Sequence, residues 1–137
     1  MEIVYFSNYS GNTKRFVEKF SNSATRIPIK WDSDLPLLVD KPYVLFVPTY
    51  GGGSDSHSVP RQVVKFLNIQ QNRELIAGIV GLGNTNFGEH YCKAADIISA
   101  KTGAPILYRV EITGTPDDVL EVKKRMETLC QNIATTN

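Results

Sequence analysis

Cysteine, histidine, tryptophan and net charge are all scarce in this sequence, and each scarcity removes a class of chemistry. The two cysteines, Cys92 and Cys130, stand far apart and outside any Cys-x-x-Cys or Cys/His ligand spacing, so neither a disulfide framework nor a metal site is indicated. Both read as reduced, buried thiols. The two histidines, His57 and His90, have no Cys, Asp or Glu pattern at catalytic spacing; they read as a surface-loop residue and a helix-start residue. A formal net charge of +1 favours neither a nucleic acid nor an anionic membrane as partner. No apolar run approaches the roughly 18 residues of a membrane span. The start, "MEIVYFSN", has neither a basic n-region nor a long apolar h-region, so a cytoplasmic location is expected. The G-x-x-x-x-G-K-[ST] phosphate loop is also missing, which argues against nucleoside triphosphate hydrolysis.

What is present is an ordinary globular composition, 42% hydrophobic and 21% charged over 137 residues, enough for one core and one domain spanning 1–137. Short runs of β-branched and aromatic residues alternate with amphipathic segments, the pattern of parallel βαβ units whose strands are buried on both faces. Five strands are predicted, at 2–6, 25–29 ("TRIPI"), 43–48 ("YVLFVP"), 76–81 ("IAGIVG") and 106–112 ("ILYRVEI"). Four helices are predicted around them. The first covers 12–20 on the stripe Phe16, Val17, Phe20; the next cover 59–67 and 91–102, the latter closing before Gly103. The last starts at Pro116 with Thr115 as N-cap and Asp117 and Asp118 against the dipole, and its stripe is Val119, Val122, Met126, Leu129 and Ile133. "WDSDLPLLVDKP" reads as a loop, in which Trp31 has no assigned role. The alternation fits an α/β fold: a doubly wound five-stranded parallel sheet of order 2-1-3-4-5 with helices on both faces. Such sheets bind ligands outside the carboxyl ends of the strands, at the switch point between strands 1 and 3.

Three strand ends therefore carry the candidate site. Strand 1 runs into "SNYSGNT", where hydroxyls of Ser7, Tyr9 or Ser10 and Thr13, the Asn12 amide and backbone N–H groups at the helix start suit a phosphate. A plain helix cap by Ser10 or Asn12 is the alternative there, and Lys14 and Arg15 read as solvated. Strand 3 runs into "PTYGGGSDS", in which Gly51, Gly52 and Gly53 suit either a backbone that must approach a ligand or a flexible turn. Strand 4 runs into "GLGNTNFGEHY", where Gly83, Asn84, Asn86 and Gly88 frame Phe87. That aromatic is either core or, opposite Tyr50, the second wall of a slot for a flat ring. With Asn8, Gly11 and Thr49 these complete the candidate cofactor-binding set, with no catalytic residue or metal ligand assigned. The chemistry is that of a site for a phosphorylated planar cofactor.

The arrangement resembles the flavodoxins, and "GLGNTNFGEHYC" is similar to their third loop, with Asn84 where an acidic residue usually stands. Five blocks in order, "VYFSNYSGNTKRF", "VPTYGGG", "VPRQVVKFLN", "GNTNFGEHY" and "GAPILYRVEITGTPDDV", look like the NrdI family, flavodoxin-like proteins associated with class Ib ribonucleotide reductase. The likeness covers almost the whole chain. It implies bound FMN, with phosphate contacts from Ser7, Ser10, Asn12 and Thr13, flavin contacts from Tyr50 and the backbone of Gly51, Gly52 and Gly53, and ring contacts from Asn84 and Phe87. It also implies a function in which reduced flavin, charged by an unidentified reductant, reacts with dioxygen to supply superoxide or peroxide to the dimanganese radical subunit. That role is a redox activator's rather than that of an enzyme with its own substrate turnover; a general single-electron shuttle is the alternative.

Two other uses of similar topology lack their residues. A response-regulator receiver needs an acidic pair after strand 1 and an aspartate after strand 3, where this chain has Ser7, Asn8, Thr49 and Tyr50. A low-molecular-weight phosphatase needs a cysteine nucleophile in the first loop. Shuttling flavodoxins are strongly acidic around the flavin, which opposes an anionic reduced ring by like-charge repulsion. Near-neutral charge and Asn84 are expected to make that anion easier to reach here.

Overall fold

The computed structural model describes residues 1–8, 11–20, 23–49, 58–83, 92–111 and 113–136, with side chains as far as 133. Its elements are β1 (Glu2–Tyr5), α1 (Asn12–Glu18), β2 (Thr25–Arg26), β3 (Tyr43–Pro48), α2 (Arg61–Leu67), α3 (Gln70–Glu74), β4 (Ile76–Gly83), α4 (Lys93–Thr102), β5 (Ile106–Glu111) and α5 (Pro116–Thr136). The strands form one parallel sheet of order β2-β1-β3-β4-β5, as the alternation of patterns predicts.

Side chains on a strand point alternately to the two faces, so a strand buried on both must be apolar throughout. β3 is the clearest case. Leu45 and Val47 face a core layer with Val4, Phe6 and Ile79, covered by Val63 and Phe66 of α2 and Ala94, Ala95 and Ile98 of α4. Val44 and Phe46 face the other layer, with Ile3, Tyr5 and Val80, covered by Phe16 and Val17 of α1 and Val119 and Val122 of α5. On the first face α4 approaches β4 so closely that a Cβ at Gly81 would stand 2.8 Å from that of Ala95.

Several expected boundaries move, each for a local reason. β2 stops at Arg26 instead of reaching residue 29: Ile27 still donates its N–H to the Tyr5 carbonyl at 2.8 Å, but the next carbonyl along that edge, that of Ser7, accepts from the Arg26 side chain at 2.9 Å. β1 ends one residue early, and β4 runs two residues further than expected. β5 is described as far as Glu111. α1 is two residues shorter than its apolar stripe, and α2 starts only after Pro60. α4 is described from Lys93 and closes on Gly103 as expected. A fifth helix, α3, was not legible because its five residues, "QQNRE", contain no apolar stripe. Trp31 packs on the core face shared by α2 and α4, which gives the 31–42 loop its anchor. Of the two free thiols Cys92 is buried, but Cys130, on the flank of α5, is only half-buried, contrary to expectation.

Candidate functional site

The sheet brings three loops to one edge, and backbone hydrogen bonds just past the strands fix their spacing. Phe6 N–H reaches the Phe46 carbonyl at 3.1 Å, and Thr49 N–H reaches the Leu82 carbonyl at 3.0 Å. The chain leaving β1 therefore starts beside the end of β3, and the chain leaving β3 starts beside the end of β4. This is the switch point of the order 2-1-3, where the chain departs to opposite sides of β1.

At the first loop Ser7 is fully buried and Thr13 nearly so. Gly11 is the residue before α1 and has φ +74, a left-handed conformation that a glycine adopts without Cβ strain. No side chain caps α1 from that position, so Asn12 is the first helical residue rather than a cap. Its Oδ1 accepts a hydrogen bond from Arg15 Nη1 at 2.9 Å, which leaves the amide NH2 free to donate. Arg15 thus orients the amide, while Lys14 forms an exposed ion pair with Glu18 at 3.8 Å, a solvated pairing as expected. Ser7 Oγ accepts the Lys14 N–H at 3.2 Å; it serves the first turn of α1 as well as facing the loop.

Thr49 joins the second strand end to the third. Its Oγ1 accepts the Ala94 N–H of α4 at 2.9 Å in a buried bond. Cys92, just before α4, has φ 55, the one non-glycine residue with positive φ among the described residues. Gly83 closes β4 opposite Glu111.

Ser7, Asn8, Gly11, Asn12, Thr13, Thr49 and Gly83 thus lie at the ends of three adjacent strands. Tyr9, Ser10, Tyr50, Gly51, Gly52, Gly53, Asn84, Asn86, Phe87 and Gly88 lie outside the described residues, as do His57 and His90. One contributor was missed: Arg26, whose Nη2 donates to the Ser7 carbonyl at 2.9 Å from β2. The signal was available in the strand order, which sets β2 beside β1, but a charged residue in a short edge strand reads as solvated. Among the described residues no group of three His, Cys, Asp or Glu side chains could hold a metal ion, and no helix is long and apolar enough to cross a membrane.

This architecture is that of a flavodoxin-like protein. It is similar to a solved short-chain flavodoxin associated with a bacterial microcompartment, with a TM-score of 0.65 at 18% identity over 96% of this chain and 97% of the other. Residues 4–124 match the family described as "NrdI Flavodoxin like". The proteins called NrdI from Brucella ovis and Brucella abortus are each 52% identical to it over 125 residues, 91% of either chain. The chain belongs to the NrdI flavodoxin-like family.

A flavin cofactor is implied by that family, and the first loop fits the phosphate end of one. It offers a nearly buried hydroxyl at Thr13, a second buried hydroxyl at Ser7 and, at Asn12, an amide whose oxygen is taken by Arg15 so that its NH2 is the end left to donate. Such donors recognise an oxyanion by hydrogen bonding, with no side-chain cation required in the cradle.

Proposed function

We propose that the protein binds FMN at this edge and acts as the redox activator of the radical subunit of a class Ib ribonucleotide reductase. The observation that carries the reading is the 52% identity over 125 residues to proteins called NrdI, with residues 4–124, a span that includes all three loops, matching the family. When bound and reduced, FMN supplies electrons to dioxygen, giving the superoxide or peroxide that the dimanganese-tyrosyl radical centre requires.

The chain's own residues have three tasks in this reading. Ser7, Ser10, Asn12 and Thr13 hold the phosphate, with the Ser7 oxygen kept in place by the Lys14 N–H and the Asn12 amide by Arg15. Tyr50, Gly51, Gly52 and Gly53 form one wall of the ring slot, and Asn84 and Phe87 the other. Thr49, with its N–H on the Leu82 carbonyl and its hydroxyl on the Ala94 N–H, ties the end of β3 to the end of β4 and to the first turn of α4.

Purified protein is expected to absorb as a flavoprotein and to release FMN, identified by chromatography of the extract; FAD or no flavin would remove the basis of the reading. Thr13→Ala is expected to weaken FMN binding by about 1–3 kcal/mol, the usual cost of leaving a charged acceptor one donor short, measured by fluorescence titration of the flavin-free protein. Reduced protein is expected to associate with the radical subunit and, with manganese and oxygen present, to yield tyrosyl radical by electron paramagnetic resonance. Equal radical yield from an unrelated flavodoxin would favour a general electron shuttle instead.

A further inference from the structure

A cavity of about 410 Å³ lies on the opposite side of the first loop from β3. Because the order is 2-1-3, Arg26 and Ile29, at and beyond β2, are separated by β1 from the strand ends that would flank the ring. The remaining wall comes from Asn8, Gly11 and, on α1, Lys14, Arg15 and Glu18.

The charges lining this cavity are unbalanced. Lys14, Arg15 and Arg26 face one carboxylate, Glu18, which already pairs with Lys14. Neither guanidinium forms an ion pair with a carboxylate among the described residues, yet each is held by one hydrogen bond: Arg15 Nη1 on the Asn12 side chain and Arg26 Nη2 on the Ser7 carbonyl, both at 2.9 Å. Arg26 Nε is buried and without a hydrogen-bond partner. A guanidinium has five N–H donors, so among the described residues most of the donors on these two side chains have no protein acceptor. Positioned guanidiniums with unused donors suit the oxygens of a phosphate. The volume lies in the range of small-molecule sites, well beyond the needs of a bare anion, and Ile29 supplies an apolar surface.

We propose that this cavity is a second anion site, which takes the phosphate of a small phosphorylated molecule other than the flavin cofactor. It rests on the FMN reading only in being second; the donors and the volume belong to the chain itself. Because Ser7 and Asn12 hold the two guanidiniums and also belong to the cofactor cradle, the two sites share a wall.

The test is a titration of the flavin-loaded protein with ribose 5-phosphate, with inorganic phosphate and ribose as separate arms, followed through the backbone amide resonances. Saturable shifts are expected at Gly11, Lys14, Arg15 and Arg26 with ribose 5-phosphate, weaker binding with phosphate and none with ribose. Arg26→Gln is expected to weaken binding roughly tenfold, the effect of losing a charge-assisted hydrogen bond. Since Arg26 also braces the Ser7 carbonyl, the exposed Arg15→Gln is the second variant, and the same weakening is expected without loss of fold. No saturable shift, or shifts unchanged in both variants, would overturn the proposal. So would binding seen only in the flavin-free protein and displaced by FMN, which would make the cavity part of the cofactor cradle. Inorganic phosphate binding as tightly as ribose 5-phosphate would overturn the assignment to a phosphorylated molecule. Absence of flavin from the purified protein would fail the FMN reading alone, because the titration can be run on the same chain without it.

Discussion

Asn72 shows how much one polar side chain can hold when its own partners are backbone groups. It is fully buried. Its Oδ1 accepts the Val39 N–H at 3.0 Å, and its Nδ2 donates to the carbonyls of Leu37 at 2.9 Å and Phe66 at 3.1 Å. Its own carbonyl accepts the Tyr43 hydroxyl at 2.6 Å; burial pushes the ionisation of that phenol well above its ordinary range, so Tyr43 stays a donor. One side chain thus pins the 31–42 loop to α2. Asn72→Ala would leave a buried N–H and two carbonyls short of partners, and is expected to destabilise the fold by about 2–4 kcal/mol in urea denaturation. A loss below about 0.5 kcal/mol, the range of an ordinary surface change, would show that water replaces the amide.

Among the elements, α5 owes its start to a reciprocal cap. Asp118 N–H donates to Thr115 Oγ1 at 3.2 Å, Thr115 N–H donates to Asp118 Oδ2 at 2.8 Å, and Tyr108 of β5 donates its hydroxyl to Asp118 Oδ1 at 2.7 Å. Partial burial pushes the Asp118 carboxyl up. The hydrogen bonds from Tyr108 and from the Thr115 backbone and side chain, with the Lys19 charge, outweigh it and hold the group below the usual aspartate range. A carboxyl depressed on folding stabilises at pH values above its unfolded pKa, and that contribution is lost as pH falls through the lower folded value. Asp118→Ala is therefore expected to cost about 1 kcal/mol near neutral pH, as a lost cap does. Its melting temperature is expected to converge on that of the unaltered protein under acid conditions. An equal deficit at pH 7 and in acid would mean that packing, not the ionised cap, is what Asp118 contributes.

At the scale of the whole molecule, the carboxyl edge is organised by Thr49. The strand ends alone set loop starts side by side, but the Thr49 hydroxyl on Ala94 N–H also ties the end of β3 to the first turn of α4. Thr49→Val keeps the shape and removes the acceptor, so the buried Ala94 N–H loses its partner. A loss of about 1–3 kcal/mol is expected by thermal or urea denaturation, with most of it regained in Thr49→Ser. Failure of the serine variant to recover would place the effect in the methyl packing rather than the hydrogen bond.

By itself the sequence determined the elements that bury an apolar stripe or run: β1, β3, β4, β5, α1, α2, α4 and α5 are written in side-chain periodicity, which is local and one-dimensional. It determined the strand order as well, because parallel crossovers leave few topologies, and with it the three strand ends where polar residues collect. Only the tertiary structure decided what depends on contacts between distant residues. β2 is two residues long because an edge strand exists only while its neighbour's ladder can be matched, and the Ser7 carbonyl that would continue the match accepts from the Arg26 side chain instead. α3 exists around a buried Asn72 whose partners lie 6 to 35 residues away in the chain, beyond any helical period. Arg26 reaches Ser7 and Thr49 reaches Ala94 across 19 and 45 residues, and no spacing in the chain announces either bond, because hydrogen bonds are directional and are set by where the folded backbone places donor and acceptor.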